Sequence, residues 1–475
     1  MPTSAPTADG LPPPERLRAM ITLAIAVAMS VLDSSVANIA LPTIAGELHA
    51  TPASSIWVVN AYQLAVTVSL LPLASLGDII GYKRVYWVGL AIFTLSSALC
   101  AASQTLPMLV TARVLQGFGG AGIMSVNTAL VRFVFPRAML GRGIGFIAFV
   151  VASSSATGPT VAAAILAVGS WHWLFAVNIL PGILALWLAA RVLPDTPRNR
   201  HRFDLLGAGL NGATLGLLVI AVDELGRGES LIWAGAELGT AAILGAIFVS
   251  RELSRTAPIL PVDLFRRPIF ALSVGTSICS YTAQGTAFVA LPFLFEDVGH
   301  LSQITTGLLM TPWPAIVVII APIAGRLSDR SSPTLLGAMG LAVMTVGMAL
   351  LLLLPAQAGW ESVAWRMAVC GFGFGFFQSP NNRLLIGSAP AERSGAASGM
   401  MSTARLLGQT TGSAIVALTF GIGAATGSGI AGGVRLSLFA GMIAAGGATL
   451  ISFVRWATAR RAGAAKRGAP LRRAD

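Results

Sequence analysis

Two charged turns follow long apolar segments at matching places in the chain: Gly77-Asp78-Ile79-Ile80-Gly81-Tyr82-Lys83-Arg84 and Gly325-Arg326-Leu327-Ser328-Asp329-Arg330. The acids of the two turns are 251 residues apart (329 − 78), and the second turn keeps both the acid and the flanking base. Downstream, five glycines and prolines recur at one offset of 254 (371 − 117): Gly117 with Gly371, Gly119 with Gly373, Pro136 with Pro390, Gly141 with Gly395, and Gly145 with Gly399. Two related halves with an ionic turn at the same place in each are typical of transporters that open alternately to the two sides of a membrane.

The composition indicates an integral membrane protein. Hydrophobic residues make up 55% and charged residues 11% of the 475 residues, which is too few charges to cover a soluble surface. Apolar runs of about 20 residues, each long enough to cross a bilayer as a helix, recur from end to end. The sequence therefore predicts an all-α fold of two six-helix repeats plus an inserted helix pair. The fourteen predicted transmembrane helices lie at about Ala19–Ala40, Ser55–Leu76, Val85–Ala102, Pro107–Ala129, Gly143–Val168, Trp173–Leu193, Leu206–Val222, Trp233–Ser250, Ile269–Leu294, Thr306–Leu327, Thr334–Leu354, Val363–Ile386, Ser398–Phe420 and Leu436–Phe453.

The net charge of +12 is distributed as in a membrane protein and does not indicate a nucleic-acid partner. With both termini placed in the cytoplasm, only Arg227 and Arg435 of the 31 Lys and Arg fall in outer loops. This asymmetry follows the positive-inside rule and favours an even number of spans in a bacterial inner (plasma) membrane. The basic residues after Trp456 either rest against anionic lipid or form a solvated tail.

These boundaries divide the chain into five parts. Residues 1–18 form a cytoplasmic tail, 19–193 an N-terminal six-helix bundle, 194–268 the inserted pair with its loops, 269–455 a C-terminal six-helix bundle, and 456–475 a basic tail. The segment Met1–Glu15 lacks the charged-then-apolar order of a cleaved signal peptide. All three cysteines fall in apolar segments and imply no disulfide framework.

Asp33 is the clearest acid within a predicted span. A carboxylate near the centre of a membrane helix costs roughly 2.5–3.5 kcal/mol on insertion scales, so it needs a partner, water or a proton. We interpret Asp33 as a proton-binding group; the alternative is a helix-packing acid neutralised by Ser34, Ser35 or Asn38. Arg113, in the fourth span, cannot deprotonate and must snorkel, pair or line water. We expect it to pair with Asp33, and snorkelling to the outer interface is the alternative.

The turn between the second and third spans predicts a cytoplasmic gate. Gly77 and Gly81 permit a tight turn, and Asp78 can meet the N-terminus of a neighbouring helix. Such a contact is weak enough to break in each transport cycle. Each of these residues alone could belong to a solvated turn, but the echo at Asp329 and Arg330 favours a gate for the whole set, which is Gly77, Asp78, Gly81, Lys83, Arg84, Asp329 and Arg330.

The fifth span combines small residues with a proline, namely Gly145, Ser154, Gly158 and Pro159. The proline removes a backbone hydrogen bond and bends the helix, while the small residues allow close packing. Other polar and aromatic residues within spans either line a central cavity or hold helices together: Asn60, Gln63, Gln284, Trp313, Phe376, Phe377 and Asn381.

The sequence contains none of the usual signatures of an enzyme or a cofactor-binding protein. The four histidines lie near membrane boundaries or in loops, and no pair has metal-ligand spacing. No glycine-rich loop ends in Lys and Ser or Thr, so ATP does not drive the protein directly. We expect neither a metal nor a cofactor. The expected partners are protons, the lipid bilayer and a small-molecule substrate, and the expected oligomeric state is a monomer.

At these motifs the chain resembles the major facilitator superfamily from Arg18 to about Trp456, and its fourteen-helix drug:proton antiporter branch in particular. The resemblance rests on three stretches: Leu32-Asp33-x-x-x-Ala37-Asn38-Ile39-Ala40-Leu41-Pro42, the turn from Gly77 to Arg84, and Arg113-x-x-Gln116-Gly117 followed by Gly158-Pro159 and the segment Trp171 to Asn178. It implies export of a substrate in exchange for protons. It also implies that Gly145, Ser154, Gly158 and Pro159 form the hinge motif of antiporters, although Ser154 stands where that motif has glycine.

The expected function is therefore proton-coupled export of small amphiphilic compounds. The tenth and thirteenth predicted spans carry no carboxylate, which favours monovalent cations or neutral compounds over dications. Export of one endogenous metabolite, such as an antibiotic, siderophore or amino-acid derivative, is the alternative. A membrane enzyme or receptor is disfavoured because no reactive cluster or large soluble module is present.

Overall fold

The computed structural model describes residues 10–136, 139–196, 198, 203–227, 231–255, 262–355, 358–389 and 394–468, and its regular structure is helical. A π-helical turn, Leu294–Val298, extends the helix before it. The α-helices are α1 Pro13–Glu47, α2 Pro52–Ser55, α3 Trp57–Ile80, α4 Tyr82–Ala101, α5 Leu106–Val134, α6 Leu140–Val168, α7 His172–Ala176, α8 Ile179–Val192, α9 Leu205–Arg227, α10 Leu231–Leu253, α11 Val262–Phe265, α12 Pro268–Phe293, α13 Gln303–Met310, α14 Pro312–Arg330, α15 Pro333–Leu352, α16 Trp360–Gly387, α17 Ser394–Ala425 and α18 Gly429–Gly468.

Twelve helices in the described part of the chain are long and apolar enough to cross a membrane, so the prediction of fourteen spans is not confirmed. The predicted spans Leu206–Val222 and Val363–Ile386 fall short for different reasons. The continuous apolar part of α9 is short, ending at Ala221. In α16, Glu361, Arg366 and Arg383 interrupt the apolar sequence and lower its mean hydropathy.

The internal repeat of the sequence is also a repeat of helix packing. A Cβ atom on Gly119 would collide with the backbone nitrogen of Phe93, and one on Gly373 would collide with that of Met344. These contacts bring α5 against α4 in the first half and α16 against α15 in the second. Because only glycine allows backbones this close, the paired glycines fix equivalent helix crossings in the two halves.

The loops after α1 and α12 repeat one backbone device. His49 and His300, 251 residues apart (300 − 49), both have left-handed backbone conformations, with φ of 50° and 51°. Thr51 and Ser302, at the same offset, each accept a hydrogen bond from a backbone N–H three residues on and so cap the next helix. The offset of 251 therefore holds from the loop after the first helix of each half as far as the charged turn.

The helix pair α9 and α10 is held at one end by a charged cluster. Arg251 donates hydrogen bonds of 2.9 and 3.0 Å to the carboxylate of Asp204, and Arg255 lies 3.4 Å from the same group. Asn211 of α9 donates a 3.0 Å hydrogen bond to the carbonyl of Val68, and α9 also packs on α17. The pair thus contacts both halves of the molecule.

Candidate functional site

Asp33 lies in the middle of α1, where its carboxylate is fully buried and contacts three donor residues, two of them on α5 and one just before α8. Arg113 of α5 forms an ion pair with Oδ2 of Asp33. Gln116, one turn further along α5, donates to Oδ1 at 2.9 Å. Asn178, which precedes α8, donates to the same oxygen at 3.0 Å. The expected pairing of Asp33 with Arg113 is observed, whereas neutralisation by Ser34, Ser35 or Asn38 is not.

The guanidinium of Arg113 is fully buried and held in place from several directions. Its Nε donates to the carbonyl of Val58 at 2.9 Å, and Nη1 donates to Oε1 of Gln116 at 2.6 Å. The rings of Tyr62 and Phe175 lie 4.3 and 5.5 Å from its central carbon. Aromatic faces attract a cation, so these rings add to the stabilisation given by Asp33. Arg113 therefore pairs within the bundle and does not snorkel to the interface.

A central cavity next to this ion pair is lined by helices from both halves of the chain. It encloses about 800 Å³ of empty space, its opening included. Residues of both bundles line it: Ser30, Val31, Ser34, Ser35, Asn38, Tyr62, Gln63, Val66, Met124 and Ser155 from the first, and Gln284, Gly285, Phe288, Val289, Pro314, Arg405, Leu406 and Gln409 from the second. The mixture of apolar and polar groups along its wall suits a small amphiphilic molecule.

Tyr62 separates the ion pair from the cavity. Its ring covers Arg113 on one side and lines the cavity, while its hydroxyl lies 3.0 Å from that of Ser30. Asp33 is not among the residues that line the cavity in the described part of the chain. The charged pair and the cavity are thus neighbours with one aromatic side chain between them.

Two of the seven residues predicted to line the cavity do so, Gln63 and Gln284. The other five do not line it, so the prediction was wrong for them. A helical period of 3.6 residues shows which residues share a face, but it does not show which face meets the opposite half of the molecule. Asn60 is completely buried, Trp313 packs edge to face on Phe288, Phe376 stacks on Phe372, Phe377 lies in the apolar core, and Asn381 binds Arg455.

Arg455 is the centre of a second buried polar network that sequence analysis missed. It donates to Ser273 at 2.8 Å, to Asn381 at 2.5 Å and to Ser452 at 3.0 Å. Asn381 in turn donates to Ser277 at 2.8 Å. This network joins α12, α16 and α18, so Asn381 holds helices together, as the alternative for such residues stated.

The two halves of the chain contact each other at one end of the molecule, which we name the Glu47 end after the last residue of α1. There Thr43 donates to Glu296 at 3.4 Å and accepts from Gln303 at 2.7 Å. Thr160 of α6 and Thr311 are 3.0 Å apart. Glu296 is a further acid that the sequence interpretation did not single out.

The proline-containing helix α6 carries the four residues of the predicted hinge motif, and they differ in how closely they are packed. A Cβ on Gly158 would collide with the side chain of Ser35 on α1, while a Cβ on Gly145 would meet nothing within 4 Å. Ser154 is buried, and Pro159 lies within the helix with its carbonyl against Gly307 of α13. Close packing therefore holds α6 at Gly158 and Pro159, while Gly145 has open space around it.

The first charged turn lies at the opposite end of the molecule, which we name the Gly81 end. Tyr82 donates a short hydrogen bond to Asp78, so this acid binds its own turn. Lys83 reaches Asp195 at 3.8 Å, and Arg84 is exposed. Gly81 has φ of 99°, a conformation that favours glycine, and a Cβ on Gly77 would press on the Tyr82 ring.

The second charged turn ends α14, where Arg330 is exposed and the side chain of Asp329 lies outside the described part of the structure. Among the residues described, the first turn meets the segment around Asp195 and Thr196, to which the backbone of Tyr82 donates at 2.8 Å. The turn is therefore docked on the connection that follows the first bundle.

The partners of Asp33 were only partly visible in the sequence. Gln116 and Asn178 stood in the motifs that carry the family resemblance, but no spacing rule connects them to Asp33, which is 83 and 145 residues away. The second half has no equivalent pair: Gln284 stands at the position of Asp33 (284 − 33 = 251) and Met367 at that of Arg113 (367 − 113 = 254). The ion pair is a property of the first bundle.

Comparison with known proteins gives consistent matches over most of the chain. The family described as Major Facilitator Superfamily matches residues 23–413. The uncharacterized transporter YebQ of Escherichia coli (strain K12) is 54% identical over 413 residues, covering 86% of this chain and 90% of that protein. The riboflavin transporter RibZ of Clostridioides difficile (strain 630) is 32% identical, covering 84% of this chain and 87% of that one.

A third relative and a solved structure extend these matches. The multidrug resistance protein Stp of Mycobacterium tuberculosis (strain CDC 1551 / Oshkosh) is 32% identical, covering 84% of this chain and 75% of that protein. A bacterial homolog of the human lysosomal transporter Spinster, solved in an inward-facing and unoccupied conformation, has a TM-score of 0.67 at 14% identity, covering 94% of this chain and 98% of that one. This last likeness concerns the fold alone.

Proposed function

The chain belongs to the Major Facilitator Superfamily, and we propose that it exports small amphiphilic compounds in exchange for protons by alternating access. One observation carries the proposal: the buried Asp33–Arg113 pair lies directly behind the wall of a cavity between two bundles. Intramembrane ion pairs are expensive and rare outside transport pathways. A transporter of this family is a membrane protein and not an enzyme.

The ion pair gives a route for coupling. In the conformation described, the carboxylate of Asp33 pairs with Arg113 and accepts hydrogen bonds from Gln116 and Asn178. A proton on Asp33 would cancel its attraction for Arg113 and leave that cation uncompensated in a low-dielectric interior. The bundle must then rearrange to give Arg113 another partner or water. Proton binding and the change of conformation are thereby linked.

The cycle runs through two ends of the cavity. We propose that the Gly81 end faces the cytoplasm, because the positive-inside rule places the basic turns and both termini there. The contacts at the Glu47 end then close the cavity to the outside, and the exporter in this state takes substrate from the cytoplasm. Opening breaks those contacts, while the turns at Asp78 and Asp329 act as the cytoplasmic gate and α6 bends at Gly158-Pro159.

We further propose that α9 and α16 cross the bacterial inner membrane with the other twelve helices. Both are long, with 23 and 28 residues, or about 35 and 42 Å at 1.5 Å per residue. Helix α16 packs along α14 and α15, and the charged ends of α9 and α10 meet in one cluster. The division into two six-helix bundles and an inserted pair follows from this arrangement.

Export of one endogenous metabolite is the second candidate. The relatives include both a multidrug resistance protein and a riboflavin transporter at the same 32% identity, so similarity supports each candidate to the same degree. The polar residues among the cavity lining favour a substrate with several hydrogen-bonding groups.

The test is transport into everted membrane vesicles energised by respiration, with internal pH followed by a dye. Wild type and Asp33→Asn are compared on a panel containing ethidium and matched anionic and neutral dyes. Export in exchange for protons by wild type but not by the variant is expected. Equal transport by Asp33→Asn would overturn the role of Asp33. Transport that moves no protons would overturn antiport itself, and transport of a single cellular metabolite would favour the second candidate.

A further inference from the structure

Among the described residues that line the central cavity, Arg405 of α17 is the only charged one. No described carboxylate lines the cavity, because Asp33 lies behind Tyr62 and is already balanced by Arg113. The wall that a substrate meets therefore carries a net positive charge. A cavity of this sign repels cations and attracts anions.

Three arginines that lie within other helices, Arg113, Arg366 and Arg455, are bound to neighbouring residues. Arg113 binds Asp33 and Val58, and Arg455 binds Ser273, Asn381 and Ser452. Arg366 donates to the carbonyls of Leu350 and Ser362. The guanidinium groups of these three arginines therefore already have partners within the protein.

Arg405 differs from these arginines. Within the described part of the chain it forms no hydrogen bond and no ion pair, although it is close enough to Tyr62 and Tyr281 for electrostatic interaction. A guanidinium has five donors in a planar fork that matches a carboxylate or a phosphate. The free donors of Arg405 at the wall of the cavity are available to such a group.

We propose that the exported compound carries an anionic group, a carboxylate or phosphate, that Arg405 binds. This inference rests on the export function proposed above, and it replaces the cationic or neutral compounds expected from the sequence with anionic ones. The remaining lining describes the rest of the ligand: Phe288, Val289 and Leu406 offer an apolar surface, while Gln63 and Gln284 offer amide groups. The ligand is a small organic anion with an apolar body and several hydrogen-bonding groups.

The charge of the cavity can be measured before any substrate is known. In full-length protein whose three native cysteines are replaced by alanine, Gln409→Cys places a thiol in the cavity wall one turn from Arg405. Its rates of reaction with anionic sulfonatoethyl and cationic trimethylammonioethyl methanethiosulfonate are compared, each relative to a free thiol in solution. We expect the anionic reagent to be favoured, and Arg405→Gln to lower the ratio of anionic to cationic rates about tenfold.

Two further variants make the result specific. Arg405→Lys keeps the charge and should hold the ratio within about twofold of the parent, which separates loss of charge from misfolding. Arg435→Gln makes the same chemical change at an exposed arginine at the Glu47 end and should leave the ratio unchanged. A ratio that Arg405→Gln does not alter, or that favours the cationic reagent, would overturn the proposal.

Ligand binding gives a second readout. The probes are 2-naphthoate, its neutral amide and the corresponding trimethylammonium compound, whose binding to purified protein is measured by equilibrium dialysis. We expect the carboxylate to bind at least about tenfold more tightly than the ammonium, with the preference lost in Arg405→Gln. Equal or tighter binding of the ammonium contradicts the anion proposal alone, whereas absence of proton movement in the vesicle assay contradicts antiport alone.

Discussion

The ring of Tyr62 covers the guanidinium of Arg113, with 4.3 Å between the ring centroid and the central carbon of the arginine. This contact makes Tyr62 the boundary between the cavity and the buried ion pair. Any proton that reaches Asp33 from the cavity must pass this side chain. If Asp33 couples protons to transport as proposed, the strength of that coupling should depend on the ring of Tyr62 more than on its hydroxyl.

Substitutions of Tyr62 separate these two parts of the side chain. Tyr62→Ala should open the ion pair to cavity water and raise the proton leak in the absence of substrate several-fold, measured as decay of an imposed pH gradient in proteoliposomes. Tyr62→Phe keeps the ring and loses only the contact with Ser30, so its leak should stay close to wild type. A leak that rises equally in both variants would contradict the barrier role of the ring.

The Asp33–Arg113 pair should behave as one energetic unit. Arg113→Gln leaves a buried carboxylate and Asp33→Asn leaves a buried guanidinium, so each alone should lower the free energy of unfolding by about 3–5 kcal/mol. The double variant should be more stable than the sum of the two losses predicts, because it leaves no uncompensated charge. Thermal unfolding in detergent measures this cycle, and simple additivity would show that the two charges are not coupled.

The close helix crossings of the two halves should be equally intolerant of a methyl group. Gly119→Ala must push α5 away from α4, and Gly373→Ala must push α16 away from α15, at a cost of about 1–3 kcal/mol each. Gly212→Ala in α9 is the matched control, since its Cβ would meet nothing within 4 Å. We expect the unfolding temperature to fall in the first two variants but not in the control. A fall in only one of the two would mean that the α4–α5 and α15–α16 crossings are not equally tight.

The contact between Gly158 and Ser35 provides a rescue test for α6. Gly158→Ala should impair transport strongly because the new methyl group occupies the place of the Ser35 side chain. Adding Ser35→Gly removes the obstruction and should restore most of the initial rate of transport. Failure of the double variant, with protein still present in the membrane, would show that Gly158 is needed for its flexibility and not for its size.

The threonine at the Glu47 end should control which side of the molecule is open. Thr43→Val removes the donor to Glu296 and the acceptor for Gln303. Spin labels placed at Ala50 and Gly299 should then report a larger population with that end separated. Thr51→Val, which removes only a local cap, should leave the distance distribution as in wild type, and an unchanged distribution in Thr43→Val would deny this contact a part in closure.

The sequence was sufficient to predict the helical fold, the repeat and the pairing of Asp33 with Arg113. Each rests on a strong constraint: the length of the apolar segments, the recurrence of the same residues at offsets of 251 and 254, and the cost of a charge in lipid. The predicted number of fourteen membrane-crossing helices was not confirmed. One reason is that α16 carries charged and polar residues that make contacts inside the protein.

The lining of the cavity could not be predicted for a different reason. Asn60, Trp313 and Asn381 are as polar or aromatic as Gln63 and Gln284, and only the rotation of each helix decides which of them meets the cavity. The isolation of Arg405 was equally hidden, since a sequence shows a charge but not whether another residue satisfies it. Contacts across 80 residues or more, such as those of Gln116 and Asn178 with Asp33, belong to the same class.

The ion pair and the cavity arginine belong to different halves of the molecule. Gln284 and Met367 stand where the second copy would have carried the charges, and the second copy instead contributes Arg405 to the cavity. If the pair drives transport as proposed, mutations in α17 can change the cargo without altering the source of energy. Under that proposal, substitutions in the second half can change which compounds are bound, while the ion pair in the first half stays as it is.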